Sequence, residues 1–267
     1  MPDRISQTFA RAREANRPCF VAYLCAGDPD FPTSLECCRI LIEEGIDILE
    51  LGIPFSDPLA DGLTNQLAAQ RALAGGMQAE KSFQLVREIR SFAPDLPIIF
   101  YTYYNLVFAR GEKEYVREAA EAGLDGLLTL DLPPEEAESL VRETRDAGLA
   151  NVFIISPTTP PSRYELIREV ASGFIYYVSR EGVTGERKDL PENIGSAVEG
   201  IRSAIDLPVA VGFGISTKEQ VETIGKIGDG VVVGSALVNC IARNEGQPDA
   251  IYQALRQKMK DLWNRRP

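Results

Sequence analysis

Short apolar runs rich in β-branched residues alternate with longer stretches of helical periodicity through almost the whole chain. That alternation is the pattern of parallel strands joined by crossover helices. Eight runs read as strands: residues 20–24, 48–51, 98–101, 127–130, 152–155, 174–178, 209–211 and 231–233. Apolar positions at helical spacing predict helices that include 33–44, 80–92, 113–122, 135–147 and 218–226. A polar amphipathic stretch after Met1-Pro2-Asp3-Arg4 predicts one more helix ahead of the first strand. A weak repeat punctuates the pattern. Glu44-Gly45-Ile46-Asp47, Ala122-Gly123-Leu124-Asp125, Ala147-Gly148-Leu149-Ala150 and Ile227-Gly228-Asp229 each stand between a helical stretch and a strand. Glycine there is expected to take the left-handed conformation that ends a helix. Eight β/α units without a linker or composition break predict one α/β domain over residues 1–267. Its expected form is a closed (β/α)8 TIM barrel with an extra N-terminal helix and long loops after strands 2 and 6. An open, doubly wound sheet is the alternative.

Composition narrows the partners. The 28 basic and 39 acidic side chains leave a net charge of -11, which argues against a nucleic-acid or anionic-membrane surface. No apolar run approaches the ~20 residues of a membrane span, and no apolar leader segment opens the chain. Cys19, Cys25, Cys37, Cys38 and Cys240 show no metal-ligand spacing, and there is no histidine. They read as buried thiols in a reducing compartment and complete no zinc site, so the expected location is the cytoplasm.

In a barrel the ligand meets the loops that follow the strands. Two of these are longer than a simple turn, residues 52–64 and 179–191, and both contain Gly and Pro, as a lid that excludes water would. The first continues directly from Glu50-Leu51 at the end of the second strand and begins Gly52-Ile53-Pro54-Phe55-Ser56-Asp57-Pro58-Leu59-Ala60-Asp61-Gly62. A glutamate in an apolar strand is costly to bury unless it is paired, solvated from a cleft or protonated. Without histidine, and with no lysine inside a strand to form an imine, carboxylates are the remaining acid-base groups. Glu50 working with a second carboxylate is one reading; Asp28, Glu50, Asp61 and Asp131 as oxygen ligands of Mg2+ is the other. After the last two strands, Gly212-Phe213-Gly214-Ile215-Ser216 and Gly234-Ser235-Ala236 offer close backbone N–H donors near helix starts, and Gly185 adds another from the sixth loop. Together they suit a phosphate.

The segment from Glu50 to Gly62 resembles the signature of the tryptophan synthase α subunit family. Gly27-Asp28-Pro29, Asp131-Leu132-Pro133, Gly182-Val183-Thr184-Gly185, Gly212-Phe213-Gly214-Ile215-Ser216 and Gly234-Ser235 follow in that family's order across essentially the whole chain. The resemblance implies a lyase of tryptophan biosynthesis that cleaves indole-3-glycerol phosphate to indole and glyceraldehyde 3-phosphate, with no cofactor in this chain. Carried over by position, Glu50 is the general acid-base group and Asp61 the acceptor of the indole N–H. Gly185, Gly214, Gly234 and Ser235 are expected to contact the phosphate, with Phe213 and Tyr176 closing around the ligand and Thr184 among the substrate-binding residues. Tyr23 and Tyr101 are expected to line the indole pocket, where flat rings suit a bicyclic substrate.

The family works with a pyridoxal-phosphate β subunit, so the resemblance also implies an α2β2 heterotetramer. Asp57, Pro58, Asn105 and Phe108 are expected at the partner interface. One stretch departs from the pattern. Where the family usually continues after Asp-Gly with Pro, a variable residue, an apolar residue and Gln, this chain has Leu63-Thr64-Asn65-Gln66. Two rival readings follow: a degenerate α subunit that only activates its partner, and a Mg2+-dependent barrel enzyme acting on another phosphorylated metabolite.

Overall fold

The computed structural model describes residues 3–178, 193–212 and 214–263. Its strands are β1 (Cys19–Cys25), β2 (Ile48–Gly52), β3 (Ile98–Thr102), β4 (Gly126–Thr129), β5 (Ala150–Ile155), β6 (Ile175–Val178), β7 (Val209–Gly212) and β8 (Gly230–Val233). They pair in parallel and in chain order, and β8 returns to β1 with Phe20 opposite Val231 and Val21 opposite Val232. The sheet is therefore the closed barrel the alternation predicts, not an open sheet. Each expected strand is present.

Closure divides every strand into inward and outward side chains, because neighbours along a strand point to opposite faces. Val21, Ile48, Ile99, Leu128, Val152, Ala210 and Val232 fill the interior, joined by Phe174 just before β6. The outward set, such as Leu49, Leu51, Phe100, Val211 and Val231, packs into the helical layer. Burial of each such side chain contributes about 1.5–3 kcal/mol. The floor of the interior is closed by the helix Arg4–Glu14, which buries Ile5, Phe9 and Ala12. Asp3 caps that helix by accepting the Ser6 N–H at 2.8 Å. With the N-terminal end plugged, the open end is the one where the strands finish.

Two expectations are corrected. The helix over 135–147 is a 3-10 turn, Pro134–Glu136, followed by Glu138–Asp146. Consecutive prolines at 133 and 134 remove the early N–H donors, and the turn closes instead by bonds from Glu136 to Pro133 and Ala137 to Pro134. Of the repeated glycines, Gly45, Gly123 and Gly148 have positive φ, but Gly228 does not. Gly228 is required for space: a Cβ there would meet Val211 at 2.9 Å.

Candidate active site

Ile48 of β2 points into the barrel, so Glu50, two residues on, points the same way but one layer higher. It sits between Tyr23 of β1 and Ile99 of β3 in the pairing register. Only 1% of Glu50 is exposed, and its Oε1 has no hydrogen-bond partner. Burial, and then the neighbouring charge of Asp61, push its carboxyl up to about 8. It is a carboxylic acid that holds its proton near neutral pH.

Asp61 arrives from the connection between β2 and the helix Leu63–Ala74. It too is buried, but its environment differs. Tyr101 Oη donates to Oδ1 at 2.9 Å, Asn65 Nδ2 donates to Oδ1 at 3.2 Å, and Tyr103 Oη donates to Oδ2 at 2.7 Å. Burial raises the Asp61 carboxyl, while the bonds from Tyr103, Tyr101 and Asn65 oppose that rise by favouring the ionised form. The two acids thus stand in contrasting settings, one without donors on an oxygen and one with three.

Aromatic rings build the walls. Tyr23 packs edge-on against Tyr101, with centroids 5.2 Å apart and an interplanar angle of 72°. Burial holds the phenols of Tyr23, Tyr101 and Tyr176 well above their usual range, so they are neutral. Neutral phenols donate without adding charge. Two glycines make room for them. A Cβ on Gly212 would lie 2.6 Å from Tyr176 Oη, and one on Gly52 would collide with the Tyr23 hydroxyl.

The anion corner is partly described. Gly214 has φ +57, and Gly234 precedes the helix Ser235–Ala242, in which Ser235 is the first residue. No side chain caps that helix, so its first N–H groups keep their donor capacity. The helix Lys218–Gly225 is different: Thr217 and Gln220 form a reciprocal capping box at its start. That box occupies the N–H groups of Ser216, Thr217 and Gln220, so the N–H groups near Gly214 are the candidate donors of the seventh loop. Thr184, Gly185 and Phe213, and the expected lid over 179–191, lie outside the described residues.

The loop after β2 is anchored at both ends of its exposed part. Phe55 stacks on Tyr103 at 5.1 Å, and the Ala60 N–H donates to Tyr103 Oη at 3.0 Å. Between them Asp57 is exposed and Pro58 partly so; Asn105 and Phe108 are also exposed. Leu59, Leu63 and Phe108 are the large apolar side chains most open here, at 90%, 66% and 67%. Leu63 occupies the first helical position after Gly62. Its N–H is one the helix leaves unpaired anyway, so the helix starts without the family's proline.

The four carboxylates considered for Mg2+ do not converge. Asp28 is fully buried in a two-pronged bond with Arg71, at 2.8 and 2.7 Å, and Asp131 is exposed and accepts the Tyr104 N–H at 2.7 Å. Among the described residues no group of three His, Cys, Asp or Glu side chains is spaced to hold a metal ion. The residues that sequence reading missed are Tyr103, Arg71, and Gly52 and Gly212 as clearance for rings. Tyr101 and Tyr103 stand two apart at the end of a strand, a spacing that could have flagged the second phenol.

The chain is similar to known proteins over nearly its whole length. The family model described as tryptophan synthase alpha chain matches residues 9–264. The tryptophan synthase alpha chain of Opitutus terrae is 59% identical over 259 residues, covering 97% of each chain. A chain in a structure of Mycobacterium tuberculosis tryptophan synthase superposes with a TM-score of 0.87 at 34% identity, covering 97% of this chain and 99% of that one. A chain of the tryptophan synthase a2b2 complex from Pyrococcus furiosus gives a TM-score of 0.82 at 35% identity, covering 92% and 98%. With its barrel, its paired acids and a match over nearly its full length, the chain belongs to the tryptophan synthase alpha chain family, whose members are carbon-carbon lyases of tryptophan biosynthesis.

Proposed function

We propose that this chain cleaves indole-3-glycerol phosphate to indole and glyceraldehyde 3-phosphate by a retro-aldol reaction in which Glu50 carries the proton. The observation that carries the reading is a buried Glu50 carboxyl with an unpartnered oxygen, pushed up to about 8, beside an Asp61 held by three donors. Contrasting settings for two acids support reading one as proton donor and the other as charge partner.

In the first step Glu50 gives its proton to C3 of the indole ring, and positive charge develops on the ring nitrogen. Asp61 accepts the N–H bond and stabilises that charge in a site with little water. The Glu50 carboxylate then takes the proton of the glycerol hydroxyl next to the breaking bond. The electrons of that bond return to C3, so indole and an aldehyde form and Glu50 ends protonated. No net proton is consumed.

Gly214, Gly234 and Ser235 are suited to the phosphate, with Thr184, Gly185 and Phe213 expected beside them; Tyr23, Tyr101 and Tyr176 are suited to the ring. Asp57, Pro58, Asn105 and Phe108 would face a β subunit in an α2β2 assembly like that named for the Pyrococcus furiosus protein. Pyridoxal phosphate would then belong to the partner. Among the described residues no helix is long and apolar enough to cross a membrane, and a cytoplasmic site of action for the whole chain as one barrel domain is part of the same reading. The test is indole release from indole-3-glycerol phosphate with and without EDTA and with and without the β subunit. Release that chelation leaves unchanged supports the proposal; no release under any condition overturns it.

A further inference from the structure

We propose that Tyr101 and Asn65 are positioning residues that fill Asp61 Oδ1 and leave Oδ2 as the one carboxylate atom open to a ring N–H. The inference rests on the lyase reading for the identity of that N–H. Its geometry does not.

A carboxylate has two oxygens with about four acceptor sites between them. Tyr101 and Asn65 both donate to Oδ1, at 2.9 and 3.2 Å, whereas Tyr103 alone donates to Oδ2, at 2.7 Å. Among the described residues one acceptor site is therefore left, and it is on Oδ2. Each donor is itself constrained. Tyr101 stands edge-on to Tyr23, Tyr103 Oη also accepts the Ala60 N–H, and Asn65 sits on the helix Leu63–Ala74, four residues beyond the acid it serves.

Asn65 supplies an independent observation. It is buried, and its Oδ1 has no hydrogen-bond partner. The opposite amide orientation would set that oxygen against Asp61 Oδ1, acceptor against acceptor. A buried amide that leaves one end unpaired in order to donate with the other is placed for the carboxylate, not for its own solvation. An apolar side chain of similar size would fill the space without that orphan oxygen, so the amide is there for the bond.

Among the described residues, the titratable groups that face Asp61 are Glu50 from β2, Tyr23 and Cys25 from β1, Tyr101 and Tyr103 from β3 and its end, and Tyr176 from β6. Burial raises the phenols and the thiol, so around neutral pH the only group of this set that exchanges a proton with Asp61 in play is Glu50. The donors on Asp61 thereby favour the ionised form of that carboxyl against the burial that raises it.

The test compares wild type with Tyr101→Phe and Asn65→Leu by titrating 13C-labelled aspartate carboxyls in the full chain, the Asp61 signal being identified by its loss in Asp61→Asn. Each substitution is expected to move the Asp61 midpoint up by about one pH unit. In indole release each is expected to lower kcat about tenfold with KM within about twofold, and to shift the acid limb of the pH profile upward. An Asp61 midpoint unmoved in both variants overturns the positioning role. If wild type releases no indole, the lyase reading fails, while the titration still decides whether these residues act on Asp61.

Discussion

Tyr103 Oη donates to Asp61 Oδ2 at 2.7 Å and accepts the Ala60 N–H at 3.0 Å, so one phenol fixes both the second acid and the loop that carries it. A bond to a charged group contributes about 1.5–3 kcal/mol. Tyr103→Phe is expected to lower kcat about tenfold or more. It should also speed amide hydrogen exchange over residues 55–62. Faster exchange with unchanged turnover would separate the two roles and contradict the first.

Gly212 and Tyr176 form a fitted pair across β6 and β7. A methyl group on Gly212 lies 2.6 Å from Tyr176 Oη and 2.8 Å from its Cε1. Gly212→Ala is expected to destabilise by about 1–3 kcal/mol through overpacking. In the Tyr176→Leu background the same substitution should cost much less. A denaturation double-mutant cycle measures the coupling, and simple additivity would show that the ring is not what requires the glycine.

The Arg71–Asp28 pair ties the first loop to the helix that starts beside Asp61. Asp28 is fully buried, and burial raises its carboxyl while Arg71 pulls it down. Arg71→Met leaves that acid without its partner and is expected to lower stability by about 3–5 kcal/mol. Adding Asp28→Asn should recover part of the loss, because a neutral amide is easier to bury. Urea unfolding of wild type and the two variants is the measurement; a double variant no more stable than Arg71→Met would contradict the pairing argument.

Glu50 also makes stability depend on pH. Its carboxyl keeps the proton up to about 8 in the folded protein, against an ordinary value of 4.5. Between these values the folded state binds more protons than the unfolded state, so stability falls as pH rises through this window. The contribution is fully present below the lower value. Glu50→Gln removes the titration, so its Tm relative to wild type should climb between about pH 5 and about pH 9. A constant difference across that range would mean that Glu50 ionises normally.

Much of the fold was legible because alternation and helical spacing are local signals, and the eight strands follow from them; the pairing of β8 with β1 that closes the barrel joins distant segments. Glu50 was legible for a different reason: a charge in an apolar strand needs an environment, and a barrel interior provides it. What stayed hidden was pairing between distant segments. Asp28 and Arg71 are 43 positions apart, and nothing in either local sequence names the other. Gly228 was misread because a glycine needed for clearance looks the same in a sequence as one needed for positive φ. Asn65 stood out only as a departure, and its bond to Asp61 depends on how the helix enters the barrel mouth. Thr184 and Phe213 rest on the family pattern, and Gly185 on that pattern and on its place among the loop glycines.

The most direct measurement of the central claim is indole release by Glu50→Gln alongside binding of a non-cleavable phosphate analogue of the substrate. With Glu50 as the proton carrier, release falls to background while the analogue's Kd stays within about threefold of wild type. Turnover close to wild type in that variant would contradict the mechanism.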